Sequence, residues 1–481
     1  MIKIQNYING KLSASSNKEH INIFNPSIGK IYAECPNSTK IDLNHAIKSA
    51  ESSFSSWSNL EQKDRSNFLF KIADLLENNL DEFAKAESID NGKPYKLSKS
   101  LDIPRSIKNL RFFASIANTT KDESFKKKDV INHILRQPLG IVGTISPWNL
   151  PLYLFTWKIA PALVSGNCVI AKPSEITPYT AYLFSKICIK AKLPNGVLNI
   201  LHGDGKNIGE EIVRHKKIKA ISFTGGTETG KKIAKKASEN LKKISLEMGG
   251  KNPVIIFDDC NYSQMIDSLL KSSFLNQGQI CLAGSRIYVE ETIYEKFKKD
   301  FISKIQELTI GDPFDSKTDQ GAIVSLEHLN KISRYINKAK KEGGTILTGG
   351  DIPIINKKCS NGWYFSPTVI ENLSEDSILN QEEIFGPVVT LNTFKDENEA
   401  IRMANNTDYG LAAIIWTDNI KRAQELAEVV ESGLVWINCW LERDLRTPFG
   451  GIKNSGFGKE GGKYALDFFT EPKNICIKYY D

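Results

Sequence analysis

The feature that most constrains the fold is an alternation, after residue 139, of short apolar segments with longer segments of helical spacing. The short segments predict strands at residues 140–145, 168–171, 197–201 and 220–223. Strands that are separated by segments of helix length pair in parallel, because each connection has to return to the edge at which the strand began. The pattern therefore predicts an α/β protein with a doubly wound parallel sheet.

The length of 481 residues exceeds what one hydrophobic core normally organises. A helical region is predicted over residues 41–115, and a second series of alternating strands and helices begins near residue 253 and runs to about residue 450. Residues 139–171 are rich in apolar side chains, but prolines and Lys158 interrupt them. We therefore expect a buried strand followed by a helix there, and no membrane span.

Composition argues against several classes of protein. The net charge of +7 is spread along the chain, and no base-stacking motif accompanies the local lysine runs, so no nucleic-acid partner is expected. Eight cysteines lie far apart without a CxxC pair, which favours neither a disulfide framework nor a metal site. The first residues lack the apolar run of a signal peptide. A reducing, cytoplasmic location is expected.

Two segments of strand-forming character have no obvious partner nearby in the sequence. One is the tail at residues 475–480, and the other is the excursion near residues 119–137. An unpaired strand edge readily pairs with another chain. We therefore expect these segments to find no partner within one subunit and to assemble the protein into a homodimer or homotetramer.

The strongest candidate for a nucleophile is Cys281, which lies among small and polar residues at 276–286. Glu247 precedes it by 34 positions, in a segment with two adjacent glycines. A thiol reacts as a nucleophile when it is accessible and its surroundings stabilise the thiolate, and a nearby carboxylate can act as a general base. The alternative is that Cys281 is a buried, unreactive cysteine.

A glycine-rich turn at residues 223–230 follows a predicted strand and begins a predicted helix. Such a turn lets backbone amides approach a pyrophosphate at the positive end of the helix, although a plain tight turn explains it equally well and the spacing is not GxGxxG. Lys172 and Glu175 end another predicted strand, where they can reach ribose hydroxyls or form a surface ion pair. Asn149, between Pro147 and Pro151, can donate to an oxyanion or can be a turn residue.

Seven segments, in this order, resemble the NAD(P)-dependent aldehyde dehydrogenase superfamily over essentially the whole chain. They are PWNLPL, KPSE, FTGGTETG, LEMGGKNP, NQGQICLAGSR, EEIFGPV and PFGGIKNSGFGKEGG. The resemblance implies a Rossmann-like cofactor domain at 1–118 and 138–249 and a second α/β catalytic domain at 250–449. It also implies a small β oligomerisation extension formed by residues 119–137 and 460–481.

The same resemblance implies a role for individual residues. Cys281 is the expected nucleophile, Glu247 the base that activates the deacylating water, and Asn149 the oxyanion donor together with the amide of Cys281. NAD is the expected cofactor, and the carboxylate of Glu175 is expected to disfavour NADP because it would repel a 2′-phosphate. The implied cofactor-binding residues are Ile145, Trp148, Lys172, Glu175, Gly205, Phe223, Gly225, Gly226, Gly230, Glu383 and Phe385. Gly226 departs from the serine of many relatives.

Two arginines bear on the choice of aldehyde. Arg443, in the loop before Pro448, and Arg105 resemble residues of the 2-aminomuconate and 2-hydroxymuconate semialdehyde dehydrogenases. Arginine forms bidentate pairs with carboxylates, so two arginines at the substrate tunnel would favour an acidic aldehyde. The alternatives are that Arg105 forms a helix salt bridge and that Arg443 pairs with Asp444 or Glu442.

Other functions remain open at this point. A betaine-aldehyde dehydrogenase, or one for aliphatic and aromatic aldehydes, would share the mechanism but give the arginines no purpose. A CoA-acylating enzyme would lack the base at Glu247, and a catalytically silent structural member of the family would lack Cys281 or Glu247.

Overall fold

A computed structural model describes residues 1–118, 123–355 and 357–480. Two large sheets, each covered by helices, dominate the molecule. The first contains eight strands, in the spatial order Gly456–Phe457, Lys243–Glu247, Ile218–Thr224, Ile141–Ile145, Cys168–Lys172, Leu198–Ile200, Asn6–Ile8 and Lys11–Ser13. The five strands from Lys243–Glu247 to Leu198–Ile200 are parallel, which confirms the predicted doubly wound sheet.

Helices of the first half of the chain pack around this sheet, and the helical region predicted over 41–115 is confirmed. The α-helices are Lys40–Ser58, Gln62–Glu77, Leu80–Asn91, Tyr95–Leu97, Ile103–Ala117, Pro151–Val164, Tyr179–Ala191, Glu210–Arg214 and Thr227–Ser238, with π-helical turns at Ser98–Asp102 and Gly205–Gly209. All side chains of Pro151–Val164 are buried. Pro151 lies in the first turn, where no intrahelical amide bond is lost, whereas Pro161 lies inside the helix and can donate no backbone hydrogen bond. In the described parts of the chain, no helix has both the length and the apolar character needed to cross a membrane.

The second large sheet contains seven strands, in the spatial order Thr345–Thr348, Thr368–Glu371, Val388–Phe394, Gly284–Glu290, Asn252–Ile256, Ala412–Trp416 and Leu434–Ile437. Its α-helices are Tyr262–Phe274, Tyr294–Gln306, Leu326–Lys341, Ile378–Gln381, Glu397–Asn405 and Ile420–Val429, with 3₁₀ turns at Leu275–Gly278, Glu291–Ile293 and Lys357–Cys359. The strands are parallel except for the Thr345–Thr348 edge strand. Branched apolar side chains fill the parallel strands because both faces are buried.

Smaller sheets complete the fold. Ile2–Lys3, Lys30–Pro36 and His20–Asn25 form one, and Tyr409–Gly410 pairs with Ile452–Lys453. The chain crosses between the two large sheets in only four residues, 248–251, which separate Lys243–Glu247 from Asn252–Ile256. Side chains at the ends of both sheets therefore meet at this crossing.

The expectation that the tail finds no partner within its own subunit is wrong. The tail strand Thr470–Lys478, which follows the helix Gly462–Phe468, pairs antiparallel with Val130–Pro138 along its whole length, and Val130–Pro138 also pairs with Glu123–Lys127. The two strands are far apart in the sequence, so no hairpin turn joins them and no turn motif could predict their pairing. The tail strand forms one edge of this three-stranded sheet. Residues 119–122 and 481 of the predicted oligomerisation segments lie outside the described residues.

Candidate active site

Cys281 lies in a tightly held loop between the 3₁₀ turn Leu275–Gly278 and the strand Gly284–Glu290. Asn276 and Gln277 both adopt left-handed backbone angles, with φ of 53° and 56°. The buried side-chain amide of Asn252 fixes the backbone of this loop. Its Nδ2 donates to the carbonyl oxygens of Cys281 at 2.7 Å and of Ala283 at 2.8 Å. The thiol is therefore presented from a fixed backbone and stays partly exposed.

Asn149 lies beside this loop at the end of a buried strand of the first sheet. It is 3% exposed, and its Nδ2 donates to the carbonyl oxygen of Gln279 at 3.0 Å. A side-chain amide has two N–H groups, so one donor remains for another acceptor. The structure thus brings Asn149 and Cys281 together, as expected for an oxyanion donor and its nucleophile.

Burial and the charges around Cys281 favour its thiol form. Burial raises its pKa to about 12, and the carboxyl groups of Glu383 and Glu247 add to the rise, whereas Arg443 opposes it. A thiolate is the reactive form. The surroundings of Cys281 in this structure therefore favour the less reactive thiol over the thiolate.

Glu247 is the last residue of its strand and lies buried close to Cys281. It is 4% exposed, and neither carboxyl oxygen has a hydrogen-bond partner among the described residues. Burial raises the pKa of Glu247 well above its ordinary value, and the neighbouring Glu460 raises it further. Gly450 leaves room for this carboxyl group, since a Cβ at that position would lie 2.5 Å from Oε1 of Glu247. An unpaired carboxyl of raised pKa is suited to proton transfer near neutral pH.

Glu460 is a component of the site that sequence reasoning missed. Its Oε1 accepts from Nζ of Lys158 at 2.8 Å and from the hydroxyl of Ser222 at 3.0 Å, and its Oε2 accepts from Nε1 of Trp157 at 2.7 Å. The available signal was Lys158, a single charge within a helix of apolar residues. A buried lysine of this kind needs a buried carboxylate, but nothing in the sequence says which one.

A cleft of about 240 Å³ opens next to Cys281. Its lining comes from segments far apart in the sequence: Pro147, Trp148, Asn149, Thr224, Gly225, Gly226, Met248, Gly249, Cys281, His328, Lys331, Glu383 and Phe385. Seven of these residues were predicted site residues. His328, Lys331 and Met248 were not predicted. His328 and Lys331 belong to none of the seven matching segments, and Met248 lies in one of them but was given no role.

The predicted residues at the nicotinamide end share a packed corner of this cleft. Oε1 of Glu383 accepts from the backbone N–H of Gly250 at 2.9 Å, and burial raises the pKa of its carboxyl group. Phe385 has a positive φ of 62°, and its ring meets that of Trp148 edge-on at 5.2 Å. His328 fixes the same segment, since its Nε2 lies 2.7 Å from the carbonyl oxygen of Phe385. A planar ring could rest against this aromatic wall.

The glycine-rich turn forms another part of the lining. Gly226 precedes the helix Thr227–Ser238, and a Cβ at Gly226 would meet nothing within 4 Å, so the backbone there is open to a ligand. Gly225 is needed for packing, because its Cβ would lie 2.5 Å from the ring of Phe223. A Cβ at Gly230 would collide with Met248, which explains the third glycine by close helix packing. Gly226 is thus the glycine best suited to a phosphate.

Other predicted cofactor residues lie beyond the cleft lining, at the carboxyl ends of adjacent parallel strands. Ile145 pairs in register with Lys172 on one side and with Phe223 on the other. Nζ of Lys172 lies 2.9 Å from Oε2 of Glu175, so the two residues form an ion pair, but the lysine is buried and the pair is not a surface one. Burial alone would raise the pKa of Glu175, but Lys172 and the backbone of Gly205 bring it below its ordinary value. These residues are close enough together to share one ligand.

Arg105 and Arg443 converge on the ring of Tyr153. Nη1 of Arg443 donates to the hydroxyl of Tyr153 at 3.0 Å, and its guanidinium lies over Phe449 at 3.9 Å from the ring centre. The guanidinium of Arg105 lies 5.2 Å from the ring centre of Tyr153, and burial lowers its pKa, with Arg443 contributing. Two like charges are thus held near one aromatic ring.

Both salt-bridge alternatives for these arginines are wrong. Nη2 of Arg446 forms an ion pair with Oδ2 of Asp444 at 2.5 Å, and Arg443 has no ion-pair partner in the described ranges. Arg105 also forms no ion pair there; its Nε donates to Oδ1 of Asn109 at 3.3 Å, and its buried Nη2 has no partner among the same residues. Two unpaired guanidinium groups attract an anion.

Comparison with known proteins supports one family. The profile of the "Aldehyde dehydrogenase family" matches residues 13–475. The chain is 44% identical to the 2-aminomuconic semialdehyde dehydrogenase of Homo sapiens over 483 residues, covering 100% of this chain and 99% of that protein. It is 39% identical to the 2-hydroxymuconic semialdehyde dehydrogenase of Pseudomonas sp. (strain CF600), covering 99% of this chain and 100% of that one. A solved betaine aldehyde dehydrogenase from Staphylococcus aureus in complex with NAD+ superposes with a TM-score of 0.96, at 37% identity, covering 99% of this chain and 95% of that chain.

Proposed function

Because this chain belongs to the aldehyde dehydrogenase family, we propose that it oxidises an aldehyde carrying a carboxylate to the dicarboxylic acid, with NAD as hydride acceptor. The relatives named for 2-aminomuconic and 2-hydroxymuconic semialdehydes make these two compounds the proposed substrates. The observation that carries the proposal is the pair of arginines around Tyr153, which lack a carboxylate partner among the described residues.

The proposed reaction begins at Cys281. Its thiolate adds to the aldehyde carbon, and the resulting oxyanion accepts from the free N–H of the Asn149 amide and from the backbone N–H of Cys281. Donors of this kind are fixed before the charge develops, and removing one typically costs about 100- to 1,000-fold in rate. Loss of hydride from the tetrahedral adduct then leaves a thioester on Cys281.

Glu247 serves the second half of the reaction. As a carboxylate it takes a proton from water, and the hydroxide equivalent attacks the thioester carbon, which releases the acid and returns the thiolate. Glu247 has no competing hydrogen bond in the described structure, so its carboxyl group is free to reach that water. The raised pKa places its proton exchange closer to neutral pH than for an exposed glutamate.

The cleft fits a dinucleotide. Gly226 leaves its backbone open at the start of a helix, where a phosphate is stabilised, and the cleft leads from there to Cys281. Glu383 and Phe385 would hold the nicotinamide ribose and ring, and Lys172 and Glu175 the adenosine ribose. When bound, NAD supplies the hydride acceptor. We expect NAD to be preferred over NADP because the Glu175 carboxylate would repel a 2′-phosphate, and a kcat/KM for NADP equal to that for NAD would contradict this.

The assembly and location follow as further parts of the proposal. The tail strand Thr470–Lys478 exposes one edge of its sheet, which favours a homodimer or homotetramer in which this edge is covered by another subunit. All eight cysteines are free thiols, which suits a reducing cytoplasm. A monomeric mass by light scattering at micromolar concentration would contradict the oligomer.

A pair of matched aldehydes tests the proposed substrate class. We expect kcat/KM for 6-oxohexanoic acid to exceed that for hexanal by at least about tenfold, because the two differ by one carboxylate and a hydrogen bond to a charged group contributes about 1.5 kcal/mol or more. 2-Hydroxymuconic semialdehyde is expected to be better still. Equal values for the acid and hexanal would make the enzyme a general aldehyde dehydrogenase.

A further inference from the structure

A buried lysine outside the predicted site contacts the backbone of Asn149. Nζ of Lys93 donates to the carbonyl oxygen of Asn149 at 2.9 Å, and Lys93 is fully buried. The same carbonyl oxygen also accepts from Nδ2 of Asn276 at 3.1 Å and lies 3.5 Å from Nδ2 of Asn91. Asn149 is therefore held at its backbone as well as at its side chain.

The lysine is the charged member of this set of donors. Hydrogen bonds from an ionised donor are about twice as strong as neutral ones. The ammonium of Lys93 is neutralised by Asp102 at 2.6 Å, with Glu87 at 3.7 Å, and all three side chains are completely buried. A buried charge of this kind needs a well-defined geometry, so it fixes the position of whatever it touches.

The segment that carries Lys93 is also tied to the Cys281 loop. The backbone N–H of Ala322 donates to the carbonyl of Gly92 at 3.1 Å, and the carbonyl of Ala322 accepts from Nε2 of Gln277 at 2.9 Å. Asn276, the residue before Gln277, donates to the carbonyls of both Asn149 and Gln279. The nucleophile loop and the Asn149 loop therefore share one rigid support.

We propose that Lys93 is a positioning residue for the oxidation step: by holding the Asn149 carbonyl, it aims the Asn149 amide at the oxyanion formed on Cys281. The inference rests on the proposed function, because it assumes that Asn149 is the oxyanion donor. A misplacement of about 1 Å in such a group can cost 100-fold in rate. Lys93 acts through Asn149 and does not touch the substrate.

The test uses the full-length enzyme and the first turnover. We expect Lys93→Met to slow the burst of NADH formation by about 10- to 100-fold with hexanal and with 6-oxohexanoic acid alike, since both form the same oxyanion. Alkylation of Cys281 by iodoacetamide should keep its rate. Lys242→Met is the matched control, because Lys242 is also buried and donates to a backbone carbonyl, that of His215 at 2.6 Å, away from the cleft; its burst should be unchanged.

A double-mutant cycle with Asn149→Ala separates positioning from a structural role. If Lys93 acts through Asn149, Lys93→Met should slow the burst little further in the Asn149→Ala enzyme. If the effects of the two substitutions on the burst rate multiply, the proposal is overturned. An effect of Lys93→Met on KM for the acid alone would also overturn it, because Lys93 would then act on Arg105 through Asp102. If Asn149→Ala itself leaves the burst intact, the proposed function fails at its oxyanion donor and the role of Lys93 fails with it.

Lys93→Met leaves Asp102 buried without its partner and can lower stability. Lys93→Met/Asp102→Asn removes both charges, and the amplitude of the burst counts the active sites in each preparation. The double variant should show the same slow burst. A normal burst in that variant would overturn the proposal, and failure of both variants to fold would assign Lys93 to stability and also overturn it.

Discussion

The surroundings of Cys281 and the surroundings of Tyr153 differ in the charges that they hold. Around Cys281, burial raises the pKa of both Cys281 and Glu247 and so favours their neutral forms. Around Tyr153, Arg105 and Arg443 have no carboxylate to neutralise them in the described ranges. Under the proposed function, the groups near Cys281 become charged only during the reaction, whereas the two arginines are charged before the substrate binds.

This difference assigns different tasks to the two regions. Groups whose charge changes during turnover determine the rate of the chemical steps, and substitutions there should affect every aldehyde equally. The proposed function has the two arginines bind the substrate carboxylate before and during the reaction, so substitutions there should change the discrimination among aldehydes. Variants can therefore sort the site residues by whether the effect depends on the substrate.

Cys281→Ser is expected to have the largest effect. A serine hydroxyl is a much weaker nucleophile than a thiolate, and loss of an enzyme's nucleophile costs several orders of magnitude in rate. We expect kcat to fall by at least about 1,000-fold for acidic and neutral aldehydes, while NAD still binds, as measured by calorimetry. Turnover at a tenth of the wild-type rate would mean that another group is the nucleophile.

Glu247→Gln should split the two halves of the reaction. Removing a general base costs about 100- to 10,000-fold. The first burst of NADH should survive, while the steady-state rate falls for every aldehyde, because only thioester hydrolysis needs the base. Stopped-flow traces at 340 nm report both phases. A steady state that stays intact would remove Glu247 from the reaction.

The pH dependence of wild-type deacylation also tests whether Glu247 is the base for thioester hydrolysis. Because burial raises the pKa of Glu247, its carboxyl group keeps its proton at low pH and becomes a base only as the pH rises. We therefore expect a deacylation-limited kcat to increase with pH across the neutral range. A kcat that is flat above pH 5 would show that the carboxyl titrates like an exposed glutamate.

The thiol of Cys281 should lose its proton only at high pH. With the pKa of Cys281 raised to about 12, its thiolate fraction grows about tenfold per pH unit, so alkylation by iodoacetamide in the absence of NAD should quicken about 100-fold from pH 7 to pH 9. Mass spectrometry of the peptide that contains Cys281 gives the rate. Glutathione provides the reference for the reagent. A rate that levels off below pH 8 would mean that the thiolate is already stabilised in the free enzyme.

Much of the fold and the residues of the proposed reaction could be predicted from the sequence, because they lie in short segments with their own local signals. The strands show as short apolar runs, and Cys281, Glu247 and Asn149 each lie in a distinctive segment. The supporting residues could not be predicted. Glu460 contacts Lys158, which lies 302 positions away in the sequence, and Lys93 contacts Asn149, which lies 56 positions away. Such contacts depend on how distant segments pack, as does the pairing of the tail strand with Val130–Pro138.

The ion-pair partners of the arginines also could not be predicted from the sequence. Their presence suggested an acidic substrate, but the sequence placed Asp444 and Glu442 beside Arg443 as equally plausible partners. The structure separates them because Arg446 takes Asp444, and aromatic rings take the place of carboxylates around Arg443. Adjacency in sequence therefore did not predict pairing in this loop.

The central claim is that Arg443 and Arg105 select an acidic aldehyde, and one ratio tests it most directly. We would measure kcat/KM for 6-oxohexanoic acid and for hexanal in Arg443→Ala and Arg105→Ala, with Arg446→Ala as the matched control, since Arg446 is exposed and paired with Asp444. We expect the ratio of acid to hexanal to fall by about tenfold or more in the first two variants and to stay unchanged in the control. A parallel loss for both aldehydes, with the ratio unchanged, would contradict the claim and make the arginines structural.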